Sequence, residues 1–472
     1  MNKEEICYMS AYEMVNAIKN QEITSEEITE VIIERIEKIN PIINAYCTTT
    51  FEMAREMAKR ADKRVKNGAN IGILNGVPTS IKDLMVVEGV RTTYGSKIYE
   101  NNVATEDSIV VKRLKDAGCV ILGKTNTPEF GHKGVTDNLI FGPTLNPWNL
   151  ERTSGGSSGG AAASVVTGMG PLAQGSDGGG SIRHPACFCG VYGIKPTFGR
   201  VPRYPRLFIS AQDCSATGPL VNHISDAALM LDAIKGPFEG DRFSLPADNI
   251  KYIEHYNEIP NKLRIGYSFD LGFAKIVQND IKESVLKAIE KFSQFDWVTE
   301  KVKIKRTRVS EAFSINWLVT FAYELQPFLE KWKDKMDPNL VKWVEAGLSY
   351  PASSLPSSMM TREKFYRVLH STFQNYDVLI TPTTAVTAFE CGIAAPTIIE
   401  GKGVSPTGWQ AFTFPFNFTG HPAASIPCGF DRDGLPIGMQ IVGKLHDELT
   451  VLQVSKAFEE LAPWQNRRPI LN

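Results

Sequence analysis

The segment from residue 155 to 185 constrains this chain more than any other. It holds ten glycines and five serines, arranged as Gly155-Gly156-Ser157-Ser158-Gly159-Gly160, an apolar bridge, and then Asp177-Gly178-Gly179-Gly180-Ser181-Ile182-Arg183-His184-Pro185. Glycine lets backbone amides approach a ligand closely or adopt positive φ, and it weakens the interior of a helix or strand. Two such clusters bracketing serines therefore describe backbone shaped for chemistry. A further cue, Thr79-Ser80-Ile81-Lys82-Asp83, lies upstream. Together these residues suggest an acyl-transfer site.

The rest of the chain alternates helical and strand patterns. Residues 10 to 40 read as two helices. Ser10 caps the first and Thr24 or Ser25 the second, whose apolar stripe is Ile28, Val31, Ile32, Ile36 and Ile39. A third helix spans about 51 to 67. A helical pattern from Ser108 to Ala117 precedes the apolar run Cys119-Val120-Ile121-Leu122 and a turn at 123 to 126. Strands are expected at Leu263–Tyr267 and Val378–Ile380, and a helix from Ile281 to Phe292. No repeat or low-complexity linker interrupts the series. The expected fold class is α/β: one continuous domain with a central twisted mixed sheet covered by helices on both faces. Residues 1–66 would form a helical arm packed on a core of residues 67–472.

Composition narrows the function class. With 472 residues, 43% of them apolar, the chain can bury a substantial core. Lys plus Arg number 51 against 52 for Asp plus Glu, a net charge of −1, which gives no electrostatic footprint for nucleic acid or an anionic membrane. The eight cysteines are scattered, so they describe a reducing cytoplasm better than a disulfide scaffold. The N-terminus lacks an apolar signal core, and no stretch approaches the roughly 20 apolar residues of a membrane span. The expected protein is cytoplasmic.

A serine hydroxyl is a weak nucleophile until a base takes its proton. None of the seven histidines sits in a Gly-x-Ser-x-Gly elbow. A buried lysine can serve instead, because desolvation lowers its pKa. Lys82, among Val77, Ile81 and Leu84, is the best-placed candidate. A phosphate cradle fails on detail, since no Gly-Lys-Ser/Thr follows a four-residue spacer. His184, Cys187 and Cys189 form a His-x-x-Cys-x-Cys cluster without a fourth ligand, so core packing is the reading and no metal is expected.

At these residues the sequence resembles the amidase signature family. The resemblance rests on residues 155 to 160, the Gly-Gly-Ser-Ile-Arg segment, Cys189-Gly190-Val191-Tyr192-Gly193-Ile194-Lys195-Pro196-Thr197 and the upstream Lys82-Asp83. It continues through Gly123–Phe130, Asn146–Asn149, Asn417–Ala423 and Gly434–Gln440. What it implies is a Ser-cisSer-Lys triad. Ser181 would attack the amide carbonyl, Ser157 would relay its proton, and neutral Lys82 would be the base. The resemblance also implies an oxyanion hole on the amides of Gly178, Gly179, Gly180 and Ser181, with Ser158, Asp177 and Arg183 in support. No cofactor is expected.

Substrate specificity is less constrained. Phe313, Trp317, Phe321, Tyr323, Phe328 and Trp332 recur at helical spacing. Trp317 and Phe321, with Trp409 and Phe412, are candidates for an apolar acyl pocket. The expected activity is hydrolysis of an aryl or medium aliphatic amide to a carboxylate and ammonia or an amine. The alternative is the amidase subunit of an aspartyl/glutamyl-tRNA amidotransferase. The resemblance places there a carboxylate for the glutamine amino group where this chain has Gln410. The expected partner is a small-molecule amide, with neither nucleic acid nor membrane, and a homodimer is left open.

Overall fold

A computed structural model describes residues 2–69, 71–206 and 213–471. Eleven strands join in one sheet. Numbered in chain order they are β1 (Tyr46–Thr49), β2 (Pro78–Lys82), β3 (Val120–Thr125), β4 (Leu172–Asp177), β5 (Tyr192–Lys195), β6 (Ala216–Val221), β7 (Arg264–Tyr267), β8 (Val298–Lys301), β9 (Val378–Pro382), β10 (Ala423–Phe430) and β11 (Pro436–Gly443). Their spatial order is β1-β3-β2-β4-β6-β5-β10-β11-β9-β7-β8. The β3-β2-β4 and β9-β7-β8 groups are parallel and the remaining pairs antiparallel. This is the expected mixed α/β architecture. Strands such as Val120–Thr125 are buried along their whole length, as helices on both faces require.

The N-terminal helices start where capping chemistry dictates. Asn2, Ser10 and Thr24 each accept a hydrogen bond from the backbone N–H three residues on, while Glu5, Glu13 and Glu27 reach back to the cap. The resulting helices are α1 (Lys3–Tyr8), α2 (Ala11–Lys19) and α3 (Ser25–Ile43). The first is additional to the pair expected from sequence. Ile28, Ile32, Ile36 and Ile39 of α3 are completely or almost completely buried. With Phe51–Lys66 they cover one end of the sheet, in a hydrophobic core that runs on to Trp464.

The expected turn at 123 to 126 is displaced. Strand β3 continues through Thr125, because Gly123 pairs with Thr49 and Lys124 is fully buried against Asp83 at 2.8 Å. A buried lysine with a carboxylate partner can occupy a central strand that its polarity seems to forbid.

Two short connections set up the site. Strands β2 and β4 are parallel neighbours, with Ile81 opposite Gln174, so Lys82 ends one strand beside the carboxyl end of the other. Gly178–Ser181 turns out of β4 directly into the helix Arg183–Cys189. The carboxyl ends of parallel strands are where open α/β sheets place their ligands.

Candidate active site

Lys82 is completely buried at the end of β2. Its Nζ lies 2.7 Å from Ser157 Oγ, 2.9 Å from Ser158 Oγ and 3.2 Å from Ser176 Oγ. Burial pushes its pKa well below the usual lysine value. Asp177 pulls the other way, and the charge of Arg203 adds to the depression. Such a setting favours the neutral amine, the form that can accept a proton. The histidines do not compete for that role. Desolvation lowers His184 to about 3 and His132 to about 4, and His184 Nε2 lies 2.6 Å from Thr413 Oγ1.

Ser157 follows a cis peptide from Gly156. Ser158 is fixed by two contacts beyond the lysine. Its N–H donates to the Ser181 carbonyl at 3.1 Å, and its hydroxyl donates to the Ser176 carbonyl at 3.2 Å. The two glycine-serine clusters are therefore stitched together through Ser158. Ser157, Ser176 and Ser181 line one narrow cleft with Gly178 and Trp317.

The turn carrying Ser181 is braced from below. Asp177 accepts from the Gly180 N–H at 2.6 Å and from Arg183 Nε and Nη2 at 2.9 and 3.0 Å. Arg183, also fully buried, donates on to the Thr413 carbonyl, Gln440 Oε1 and Asn417 Oδ1. The Asn417 side chain donates back to the Asp177 carbonyl and carboxylate, both at 2.8 Å. The Arg183 guanidinium holds the Asp177 carboxyl far below the usual carboxylate range, overcoming the upward push of its burial. Gly180 has φ +136°, and a Cβ there would come within 2.1 Å of His184 Nε2. No other residue fits that position.

This bracing alters the expected oxyanion hole. The Gly180 amide is occupied by Asp177 and faces away from any ligand role. Among the described residues the amides of Gly178, Gly179 and Ser181 make no hydrogen bond, which leaves these three free to donate to a ligand. The expectation for Gly180 gives way because the carboxylate holding the turn needs a donor of its own.

The expected acyl-pocket aromatics separate. Trp317 borders the cleft, and its ring fills the space that a side chain at Gly178 would take, 2.9 Å from the position of a Cβ. Phe321 stacks behind Trp317 in a separate buried cluster with Leu325 and Leu340. Trp409 packs between Phe188, His184 and Phe389, and Phe412 is fully buried. None of these three lies on the cleft wall. The helix Val309–Trp332 explains the division: positions 313, 317 and 321 share its inner face, whereas Tyr323 points outward, 73% exposed. Leu84, Met85, Val86 and Phe130 supply the apolar wall instead. They follow Lys82 in the chain or lie in the Thr127–Gly131 segment, positions with no periodicity to mark them.

His184, Cys187 and Cys189 do not converge. Cys187 Sγ contacts Thr384 and accepts from the Gly438 N–H, while Cys189 Sγ donates to the Ser154 carbonyl. Ser176, Thr413, Asn417 and Gln440 are the structural members that sequence reasoning left without a role. Asn417 and Gln440 stood in matching segments, but their convergence on Arg183 depends on the tertiary fold.

The amidase family model matches residues 27–452. The chain is 36% identical to an acylamidase of Rhodococcus erythropolis, over 99% of this chain and 98% of that protein. It is equally similar, 36% over 99% of each, to a glutamyl-tRNA(Gln) amidotransferase subunit of Moorella thermoacetica. A bacterial aryl acylamidase of the amidase signature family superposes with a TM-score of 0.91 at 31% identity, covering 97% of both chains. A buried lysine facing paired serines at the end of a parallel strand pair, within a fold shared along its length, places the chain in the amidase signature family of hydrolases, which act on the carbon–nitrogen bonds of linear amides.

Proposed function

We propose that this protein hydrolyses a carboxylic amide with an aryl or medium aliphatic acyl group, through an acyl-enzyme on Ser181. The observation that carries the reading is Lys82, fully buried, depressed in pKa and 2.7 Å from Ser157 Oγ. Ser181 Oγ attacks the amide carbonyl while its proton passes through the Ser157 hydroxyl to neutral Lys82. The carbonyl oxygen becomes an oxyanion that accepts hydrogen bonds from the Gly178, Gly179 and Ser181 amides. Lys82 returns the proton through Ser157 to the leaving nitrogen as the carbon–nitrogen bond breaks. Water, deprotonated along the same route, then attacks the ester and releases the carboxylate.

Support for the acyl preference comes from the wall of Leu84, Met85, Val86, Phe130 and Trp317. The eight cysteines, all free, accord with a cytoplasmic setting. The amidotransferase reading draws on similarity of the same size, so the test must separate the two. A panel of primary amides, anilides, an ester and glutamine should show turnover of apolar acyl amides and anilides, with Ser181→Ala inactive. Full activity in Ser181→Ala would remove the nucleophile assignment. Glutaminase activity together with co-purifying amidotransferase components would replace this reading by the alternative.

A further inference from the structure

We propose that the substrate amide carries a carboxylate at the far end of its acyl chain, and that Arg203 receives it. The inference rests on the amidase reading above. Arg203 lies on the connection after β5 and lines the cleft together with Ser157, Ser181 and Trp317. Its backbone N–H donates to Asp241 Oδ2 at 2.8 Å, which fixes the main chain. Among the described residues its guanidinium makes neither a hydrogen bond nor an ion pair. The second arginine on the cleft, Arg206, bonds both carboxylate oxygens of Asp241 at 2.9 and 3.0 Å.

The charges facing Arg203 leave it short of compensation. Burial, then the neighbouring Arg206, push its pKa down to about 10, although Asp241 and Glu324 pull it upward. Among the described residues the cleft lining contains these two arginines and no Asp or Glu. Arg203 is half-buried, and an unpaired cation that has given up part of its water is matched best by a ligand that supplies the counter-charge. A guanidinium offers a planar fork that suits a carboxylate in two parallel hydrogen bonds. Leu84, Met85, Val86, Phe130 and Trp317 line the same cleft as this cation and Ser181, an apolar surface that suits methylenes or a ring. A ligand of matching form has an amide at one end, an apolar middle and an anion at the other.

The same charge acts on chemistry. Arg203 helps keep Lys82 unprotonated, and a carboxylate seated on Arg203 would partly cancel that influence. For a carboxylated substrate the acid limb of kcat should therefore stand at higher pH than the acid limb of kcat/KM.

The test compares ω-carboxyl amides of graded length (succinamate, glutaramate, adipamate) with neutral amides of the same chain (butyramide, valeramide, hexanamide). At one length or more, the wild-type enzyme should favour the carboxylated member by at least about tenfold in kcat/KM. In R203M that ratio should fall to about one, and in R203K part of it should remain. Because the ratio is taken within each variant, a general loss of activity cancels. A wild-type ratio of one or below at every length overturns the proposal, as does an undiminished ratio in R203M. Should neither member be hydrolysed, and anilides and aryl amides also remain intact, the amidase reading fails separately. The rise in Tm with saturating glutaramate over valeramide then decides the charge preference: it should be present in wild type and absent in R203M, and its absence in wild type overturns the proposal.

Discussion

At the scale of single residues the protonation of Lys82 governs the most. Its folded-state pKa lies well below the ordinary lysine value, so burial favours the neutral amine that the proposed mechanism uses as base, and that form is lost as pH falls through the depressed value. Rate should rise with pH along one protonation step and then level off, measured as kcat/KM for a neutral amide. Lys82→Arg, whose side chain cannot be deprotonated, should lose roughly 10³-fold or more at every pH tested. The same group has a stability sign. Below the unfolded pKa near 10.5 the unfolded chain takes up a proton that the folded site refuses, so lowering pH from there favours unfolding. Lys82→Met should accordingly raise Tm relative to wild type at pH 7, with the gain shrinking as pH approaches 10.5, as read by thermal melts across pH. Lys82 and the two glycine-serine clusters were legible in the sequence as local patterns of unusual composition, whereas the separate roles of Ser157 and Ser181 came from the family resemblance. The commitment of the Gly180 amide to Asp177 was not, since a carboxylate three residues earlier can face a turn or solvent equally well. Arg203 left no local signal either; its significance comes from a cleft assembled out of distant segments.

At the scale of elements, the turn between β4 and the helix Arg183–Cys189 hangs on one buried ion pair with polar neighbours on every side. Removing one partner of such a pair strands the other charge away from water. Arg183→Met should destabilise the protein by roughly 3–5 kcal/mol in urea unfolding. Asn417→Ala, which removes donors to Asp177 but leaves the arginine, should cost less, about 1–3 kcal/mol. Element types were largely legible. Capping chemistry fixed the starts of α2 and α3, and apolar runs marked β3 and β9. Sequence reasoning stops β3 at Leu122 because Gly-Lys-Thr-Asn has the composition of a turn. The strand continues because Asp83, about forty positions earlier, neutralises Lys124, and no local pattern carries that information.

At the scale of the whole molecule, the sheet joins early and late segments. Strand β5 pairs with β6 on one side and β10 on the other, so residues 192–195 link the half bearing Lys82 to the C-terminal half. The N-terminal helices bury Ile28, Ile32 and Ile36 against the same core. Calorimetry should therefore give a single unfolding transition, and a chain lacking residues 1–66 should be insoluble or unfolded rather than a stable core. Two resolved transitions would show the arm and core to be independent. The strand order itself could not be read from the sequence, because neighbours such as β5 and β10 lie more than two hundred residues apart and their pairing depends on side chains meeting across the finished sheet.

The burial of Lys82 also bears on time. A neutral amine is the form that reacts with acylating reagents, so the lowered pKa of Lys82 raises its reactive fraction while burial keeps it out of reach. Surface lysines would be labelled at rates set by their basicity, whereas Lys82 must wait for the strands around it to part. Its rate of acquiring a label, followed by mass spectrometry, measures how often the centre of the folded protein opens.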